Sequence, residues 1–460
     1  MKLAFQVDQK PKFGQVIIFA LQQLLAILAA TIAVPAIVNS NDSIADIIAQ
    51  KPMSASAALL GAGVGTIVYL LFTKFRSPVF LGSSFAFLGS MFAAFAGAVS
   101  VQVGYAGLII GAVMAGLVYV IIALVVKVAG VKWIDRLMPA VVIGPTVAII
   151  GLSLAGNAVG DAVGVASEGG AFQMNAHAGI CLACALITLA VVMICSAYGK
   201  KMAKMIPFVI GIAAGYAVAA VFTVIGDSVG NEAMQIIDFS KFQSMRWYPE
   251  FTFVEAFKGF GSVTGEYILT LFVAYVPVAF VVFAEHIADH KNLSSIIEKD
   301  LLRDPGLHRT LLGDGVGSAV GAFFGGCPNT TYGESVACVA ITGNASVVTI
   351  LVTAVMAIVA AFFAPFVTLL STIPSCVMGG VCISLYGFIA VSGLKMIQKV
   401  DLEDNRNLFV VSVILITGIG GMALKFGQVT LTEIATALIL GILTNLLLNG
   451  RKAKEQKGDN

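Results

Sequence analysis

Apolar runs long enough to cross a lipid bilayer recur from one end of this chain to the other. A membrane-spanning helix needs about 20 predominantly apolar residues, and runs such as 104–126 and 175–197 contain no Asp, Glu, Lys or Arg. Only 11% of the 460 residues are charged, whereas soluble domains average about 25%. The sequence therefore predicts an all-α polytopic membrane protein.

The apolar runs divide into fourteen predicted membrane segments, an even number that places both termini on one side. Segments 3 and 10 are irregular, and each is predicted to contain a short extended piece. The segments are 14–38, 54–73, 79–98, 104–126, 138–157, 175–197, 205–226, 264–290, 309–324, 326–342, 346–371, 374–393, 406–424 and 430–449.

The basic residues predict the orientation of these segments. With the N-terminus in the cytoplasm, 22 of the 27 lysines and arginines fall in cytoplasmic loops or termini. Cytoplasmic loops of membrane proteins carry such an excess of Lys and Arg. We therefore expect a protein of the cytoplasmic (inner) membrane with both termini in the cytoplasm.

The stretch Gly325–Glu334, Gly-Gly-Cys-Pro-Asn-Thr-Thr-Tyr-Gly-Glu, breaks the helical pattern at membrane depth. Proline removes a backbone donor, and glycine, asparagine and threonine are poor helix formers. Non-helical backbone survives at this depth only where it is buried in protein or lines a wet cavity. The stretch therefore predicts a binding site near the membrane midplane.

The chain is also predicted to consist of two related halves. Met138-Pro139-x-x-Val142-Ile143-Gly144 is echoed by Ile373-Pro374-x-x-Val377-Met378-Gly379, and the irregular stretch 80–85 matches 327–333 in its offset from the start of its half. Seven segments per half, an odd number, would make the second half inverted. Inverted repeats that each hold a discontinuous segment are typical of transporters.

Ionisable residues inside membrane segments are functional candidates. Glu285 and Asp289 lie four residues apart, on one face of a helix, and Glu334 adjoins the break. Like charges on an apolar face resist desolvation, so at least one of these acids should hold a proton, as proton-coupled transport requires. Asp289 has a second interpretation, in which it and His290 lie beyond the membrane in solvent.

Other polar residues carry weaker predictions. We expect His286 to be a packed or interfacial histidine, and Asp314 to be either a helix-packing group or a residue of the cytoplasmic mouth. Cys181 and Cys184 form a Cys-x-x-Cys spacing inside an apolar run with no second pair nearby. Core packing is therefore predicted for these cysteines, and neither a metal nor a cofactor is expected.

These groups together suit a flat, neutral ring that alternates N–H and C=O groups, such as a nucleobase. The two glutamates can accept ring N–H groups, and free backbone amides around Phe85 and Gly333 can donate to carbonyl oxygens. Phe85 and Tyr332 can cover an aromatic face. No nucleophile–base pair indicates an enzyme, and no feature indicates a nucleic-acid partner.

Several motifs resemble the nucleobase–ascorbate transporter family of nucleobase–cation symporters, and within it the bacterial uracil permeases. The resemblance covers nearly the whole chain. Its motifs are Phe80-Leu81-Gly82-Ser83-Ser84-Phe85-Ala86-Phe87, Ala284-Glu285-His286, the stretch Lys299–Arg309, and Pro328-Asn329-Thr330-Thr331-Tyr332-Gly333-Glu334.

The resemblance implies proton-driven uracil uptake by a 7+7 inverted repeat, commonly as a homodimer. It implies a core domain (14–130 and 264–371) that moves against a gate domain (131–226 and 372–449). Glu285 and Glu334 would bind the base, the amides of Phe85 and Gly333 would contact it, and Ala30 would pack near it. Asp289 stands where some relatives carry a histidine linked to proton coupling.

The sequence departs from the family pattern at a few positions. It has Gln22-Gln23 where relatives often have Gln-His, and Ser335 and Ala337 replace the common Asn and Gly. Glu334 favours a pyrimidine, since purine-preferring relatives tend to lack an acid there. The alternatives are a xanthine or urate permease of the same family, an anion transporter of similar architecture, and a channel.

Overall fold

The structure, a computed structural model, describes residues 3–449 except 131–138, 166, 169–170, 201, 246 and 427–428. The longer α-helices are Phe13–Ser40, Ala55–Phe72, Val101–Ala129, Ala140–Ser153, Ala176–Tyr198, Pro207–Val229, Gly265–Ile297, Leu307–Gly325, Val347–Ala361, Ser375–Ile397, Asn405–Ile419 and Glu433–Asn449. The shorter ones are Ala45–Ile48, Leu88–Ala96, Ala155–Val163, Met202–Met205, Thr252–Gly259, Gly333–Thr342 and Ala364–Ser371.

The remaining regular elements are short. Single helical turns lie at Asp42–Ile44, Phe85–Phe87, Glu232–Met234, Phe239–Ser244, Phe260–Ser262 and Leu302–Gly306. Three antiparallel strand pairs join Leu81–Ser83 to Asn329–Thr331, Ser167–Glu168 to Ala171–Phe172, and Leu424–Phe426 to Val429–Leu431.

In the part of the chain that the structure describes, eight helices are long and apolar enough to cross a membrane. A ninth span results if Val347–Ala361 and Ala364–Ser371, which meet at a bend of 80°, are counted together. Shorter apolar helices lie at Phe85–Ala96, Asn405–Ile419 and Glu433–Leu448. Each of the fourteen predicted segments contains a helix, and the number that cross the bilayer stays a prediction.

The helix that carries Glu285, here called the acidic helix, spans Gly265–Ile297 and is longer than the predicted segment 264–290. It continues past the charged residues because its inward face stays buried, and the His290 ring is fully buried. The interpretation in which His290 lies in solvent is therefore wrong. Asp289 is half-buried within the same helix.

The predicted segment 406–424 also needs correction, because its helix ends at Ile419. The chain then turns through Gly420 and Gly421, and Gly421 has a φ of +67° that favours glycine. A short strand, Leu424–Phe426, follows and pairs with Val429–Leu431. The glycine pair therefore ends the helix before the apolar pattern does.

Two helices, Ala55–Phe72 and Leu307–Gly325, are packed backbone to backbone through rows of small residues. A Cβ atom added to Gly61 would lie 2.5 Å from the carbonyl oxygen of Gly321, and one added to Gly65 would lie 2.7 Å from that of Gly317. Small residues at this spacing allow membrane helices to approach closely. The resulting pair is a rigid support for the strands beside it.

The strands Leu81–Ser83 and Asn329–Thr331 form a central strand pair at the two predicted breaks. Leu81 lies opposite Thr331, and Ser83 lies opposite Asn329. Each strand leads into a half-helix, Phe85–Ala96 (the first half-helix) or Gly333–Thr342 (the second half-helix). The prediction of short extended pieces in segments 3 and 10 is confirmed.

Buried side chains hold the central strand pair in place. The Thr66 hydroxyl accepts from the Leu81 N–H at 2.9 Å and donates to the Leu81 carbonyl at 3.1 Å. The Asn329 amide donates to the Gly61 carbonyl at 2.9 Å. These bonds satisfy backbone groups that would otherwise be costly to bury.

Candidate functional site

A cavity of about 390 Å³ lies where the two half-helices begin beside the acidic helix. Sites for small molecules typically measure about 300–1,000 Å³, so this cavity suits a single small ligand. Its lining residues are Ala26, Ser84, Phe85, Ala86, Val147, Ile150, Lys204, Pro207, Phe208, Glu285, Asp289, Thr330, Thr331, Tyr332, Gly333, Glu334, Cys338, Leu385, Phe388, Ile389, Ser392 and Met396.

Three carboxylates from two elements meet on one wall of the cavity. Glu285 and Asp289 come from the acidic helix, and Glu334 is the second residue of the second half-helix. All three side chains are half-buried. The Thr331 hydroxyl donates to Asp289 Oδ2 at 2.8 Å, which ties the acidic helix to the central strand pair. The three acids therefore lie in one site, and Thr331, for which the sequence predicted no separate role, holds one of them in place.

Backbone donors at both half-helix starts are available to a ligand. Ser84 precedes the first half-helix and Tyr332 precedes the second, and neither side chain makes a capping hydrogen bond. The first N–H groups of a helix have no partner within it. Because Phe85 and Gly333 line the cavity, their surroundings can bind a ligand oxygen.

Two aromatic residues border the carboxylate wall. The Tyr332 hydroxyl donates to the Ser83 carbonyl at 2.8 Å, which fixes the ring against the central strand pair. Only glycine fits opposite this ring, since a Cβ atom on Gly82 would lie 2.3 Å from it. The Phe85 ring meets the Tyr386 ring edge to face, with centroids 6.0 Å apart.

Ala30, predicted to pack near the ligand, lies one turn away from the cavity lining. It is buried in an apolar cluster of the helix Phe13–Ser40. Ala26, four residues earlier on the same helix, lines the cavity instead. The predicted helix therefore lines the cavity, but it does so through Ala26 rather than Ala30.

The opposite wall comes from other helices and is mostly apolar. Val147 and Ile150 come from Ala140–Ser153, and Leu385, Phe388, Ile389, Ser392 and Met396 come from Ser375–Ile397. Lys204 completes this wall. In the sequence Lys204 follows Lys200 and Lys201 in a basic stretch, and no local motif distinguishes it from these neighbours.

A fully buried polar cluster lies on another face of the acidic helix. His286 Nδ1 lies 2.6 Å from Asp314 Oδ2, and His286 Nε2 lies 3.0 Å from the Thr310 hydroxyl. The His286 and His290 rings stack with centroids 4.0 Å apart, and His290 Nε2 lies 2.7 Å from the Tyr69 hydroxyl. His286 is thus a packed histidine as predicted, and Asp314 is a helix-packing group.

Two departures from the family pattern contact each other. Gln23 Nε2 donates to the Ser335 hydroxyl at 2.5 Å, although the two residues come from distant parts of the chain. The Ser335 hydroxyl also accepts from the Phe80 N–H at 3.3 Å. This pair therefore links the first long helix, the central strand pair and the second half-helix directly behind Glu334.

No group of three or more His, Cys, Asp or Glu side chains that could hold a metal ion occurs among the described residues. Cys181 and Cys184 are both buried between helices. The polar groups of the cavity are thus acids, hydroxyls, backbone amides and one lysine. This set can bind and orient a polar ring and can exchange a proton.

Comparisons with known proteins agree on the kind of protein. A model described as "Permease family" matches residues 14–426. The uracil permease of Bacillus caldolyticus is 38% identical over 454 residues, covering 98% of this chain and 96% of that protein. The uracil permease of Escherichia coli (strain K12) is 34% identical over 447 residues, covering 96% and 94%.

Solved structures share the fold at low sequence identity. The transmembrane domain of the cyanobacterial bicarbonate transporter BicA superposes with a TM-score of 0.62 at 16% identity, covering 96% of this chain and 100% of that domain. The murine anion transporter Slc26a9 in its inward-facing state gives 0.61 at 12% identity, covering 96% of this chain and 70% of that one. With broken helices around a cavity that has carboxylates on one wall, and a family match over most of its length, the chain belongs to the Permease family and is a multi-pass membrane transporter rather than an enzyme.

Proposed function

We propose that this permease imports uracil across the cytoplasmic membrane together with protons. The observation that carries the proposal is the meeting of Glu285, Asp289 and Glu334 with two uncapped helix starts in one small cavity. The identity of 34–38% to uracil permeases over nearly their full length supports the substrate.

The chemistry of the cavity matches the edges of uracil. Glu285 and Glu334 accept the ring N–H groups, while the amides near Phe85 and Gly333 donate to the carbonyl oxygens. Tyr332 and Phe85 cover the ring. Charge-assisted hydrogen bonds of this kind are about twice as strong as neutral ones, so a ring without N–H donors binds poorly.

The two walls of the cavity support a division of the chain into two domains. We assign spans 1–4 and 8–11 (14–130 and 264–371) to a core domain, which contains the central strand pair and the carboxylates. Spans 5–7 and 12–14 (131–226 and 372–449) form a gate domain, which supplies Val147, Phe208 and Phe388. Rigid-body movement of one domain against the other gives alternating access.

The inverted 7+7 repeat is supported by local structure. The central strands run antiparallel, so the half-helices that follow them point in opposite directions, as inversion requires. Pro139 and Pro374, from the repeated motif, each precede the first residue of a helix with extended backbone. Both termini are assigned to the cytoplasm, and the assembly is assigned as a homodimer.

Uptake of labelled uracil by proteoliposomes tests the proposal. We expect saturable uptake driven by an inward proton gradient and uracil counterflow without a gradient. Glu334→Gln abolishes both, because it removes the charge that strengthens the bond to the ring N–H and the proton-binding carboxylate. Glu232→Gln, at an exposed position, is the matched control and leaves both unchanged.

Competitors separate the alternatives. Stronger inhibition by xanthine than by excess unlabelled uracil would indicate a purine permease of the same family. Flux of sulfate or bicarbonate that ignores Glu334→Gln would indicate an anion transporter, and flux without saturation or counterflow would indicate a channel. Thermal stabilisation of the purified protein across a panel of nucleobases gives an independent order of affinities.

A further inference from the structure

Charge is divided between the two walls of the cavity. The three carboxylates, Glu285, Asp289 and Glu334, all lie on the wall made by the acidic helix and the second half-helix. Lys204 is the single cationic side chain among the described residues that line the cavity, and it lies on the opposite wall. Among the described residues of that wall, Ser392 is the one other polar side chain.

Local backbone structure brings Lys204 to this position. It belongs to the four-residue helix Met202–Met205, which is separated from the next helix by Ile206, whose φ of −123° and ψ of 45° are not helical. Pro207 then begins the helix Pro207–Val229. The break turns the short helix toward the second half-helix and the helix Phe13–Ser40, and it packs against both.

Lys204 is exposed and has neither a hydrogen bond nor an ion pair with the residues that the structure describes. Lys200, four residues earlier, is also exposed but does not line the cavity. A basic loop that only obeys the positive-inside rule would not distinguish the two. The cavity position is what sets Lys204 apart.

The titratable groups around Lys204 are mainly acids. Among the elements packed against its short helix, Phe13–Ser40 carries no titratable side chain. The nearby end of Ala176–Tyr198 carries Cys195 and Tyr198, and the only carboxylate of Pro207–Val229 lies at that helix's far end. The groups that share the cavity with Lys204 are Glu334 and Cys338 of the second half-helix and Glu285 and Asp289 of the acidic helix.

An ammonium across a cavity stabilises the ionised form of a carboxylate by Coulomb attraction. Its effect depends on distance, and in the proposed mechanism the two walls belong to domains that move relative to each other. The attraction is then strong in one state and weak in the other. In the present structure Lys204 and the acids line the same cavity. Lys204 lies in the basic stretch that the charge pattern assigns to the cytoplasmic side.

We infer that Lys204 is a positioning residue that promotes release of the coupled proton, and hence of the nucleobase, on the cytoplasmic side. When the cavity opens to that side, the ammonium favours ionised Glu334 and its neighbours, so the proton leaves to water. When the domains move, the acids separate from Lys204 and can be protonated again. The inference rests on the proposed proton-coupled uptake of uracil.

The test measures uracil uptake in right-side-out membrane vesicles at fixed external pH while internal pH is varied. Lys204→Met removes the charge, Lys204→Arg keeps it, and Lys200→Met is the matched control for loss of a loop lysine. In Lys204→Met the acids hold their proton to higher pH. We expect its uptake to need an interior about one pH unit more alkaline than the wild type for the same rate.

The same vesicles give the remaining outcomes. Lys204→Arg and Lys200→Met should follow the wild-type profile, and counterflow at acidic pH on both sides should fall less than driven uptake in Lys204→Met. An unshifted internal-pH profile, or equal losses in counterflow and driven uptake, would overturn the inference. Lys204→Gln replaces Lys204→Met if the latter does not fold, and failure of both to fold would make the role structural.

The wild-type vesicles separate this inference from the proposed function. If the wild type transports no uracil, or transports it without dependence on internal pH, proton-coupled uracil uptake fails and the inference falls with it. If the wild type shows the dependence and Lys204→Met shares its profile, only the role of Lys204 is refuted.

Discussion

Two faces of the acidic helix carry neighbouring polar residues with opposite surroundings. Glu285 and Asp289 face the cavity and are half-buried, and Asp289 accepts one hydrogen bond, from Thr331. His286 and His290, each one residue further along, are fully buried. Every ring nitrogen of these histidines has a polar partner within 3.0 Å.

The contrast shows that polarity inside a membrane protein has two distinct uses. Buried groups whose hydrogen bonds are complete rigidify and specify the packing around them. Groups that keep unused hydrogen-bond acceptors beside a cavity can bind a substrate and change protonation state. On the buried face the ring nitrogens of His286 and His290 all have partners, although Asp314 Oδ1 in the same cluster has none among the described residues.

The sharpest test of the cavity face is Glu285→Gln. The substitution keeps the shape of the side chain but replaces a charged acceptor of the ring N–H by a neutral amide, which accepts more weakly and adds an N–H donor. Uracil uptake should fall by about a hundredfold or more, because an unpaired polar group in a desolvated site costs about 1–3 kcal/mol or more when charge is involved. Uptake assays and melting temperature are measured together.

The melting temperature is the internal control for Glu285→Gln, and it should stay within a few degrees of the wild type. A large loss of thermal stability would mean that Glu285 serves packing, like His286, and the distinction between the faces would fail. Retained uptake would refute its role in binding.

The buried face is tested by Asp314→Ala. Removing the carboxylate leaves His286 Nδ1 without its partner in a site where neither side chain reaches solvent. A buried donor left without its acceptor typically costs about 1–3 kcal/mol. We expect poor folding and a melting temperature lower by several degrees, measured on protein purified in detergent.

Asp314→Asn is the matched variant, since its amide oxygen can still accept from His286. It should recover most of the stability that Asp314→Ala loses. If Asp314→Ala instead folds normally but transports nothing, the buried cluster takes part in transport. Both faces of the acidic helix would then serve transport, and the contrast between them would fail.

Asp289 lies between these cases, because it faces the cavity but is tied to Thr331. Asp289→Asn keeps an oxygen for the Thr331 hydroxyl and removes the ionisable group. Uracil binding and counterflow should stay within about threefold of the wild type, whereas concentrative uptake driven by protons should fall about tenfold. Proton-driven uptake at the wild-type rate would exclude Asp289 from proton coupling.

Much of the architecture could be predicted from local sequence, because a broken helix inside hydrocarbon has few solutions. Pro328, Asn329 and the glycines around them identified the second break, and Gly82 and Ser83 identified the first. That the two breaks pair as antiparallel strands could not be predicted, since the partners are about 250 residues apart and the register depends on tertiary packing.

The candidate site shows the same limit. One cavity is lined by six of the predicted site residues, namely Glu285, Asp289, Glu334, Phe85, Tyr332 and Gly333. Ala26 rather than Ala30 faces that cavity, because rotation of an almost uniformly apolar helix is set by its neighbours and not by its own pattern. The sequence predicted no site role for Lys204 or Thr331, because the role of each depends on which distant element its side chain faces.

The smallest effect is expected at the exposed ion pair between Arg76 and Asp304, whose nitrogen and oxygen lie 2.7 Å apart. The hydrogen bond and the charge of Asp304 raise the pKa of the Arg76 guanidinium. A raised pKa of a base adds stability that is fully present at every pH at which the unfolded arginine stays protonated, so no pH dependence should appear near neutrality. Arg76→Gln should shift the melting temperature by about 1 °C or less, as solvent screens such pairs. A shift in melting temperature as large as that of Asp314→Ala would contradict the comparison, because an exposed ion pair would then contribute as much stability as the buried cluster.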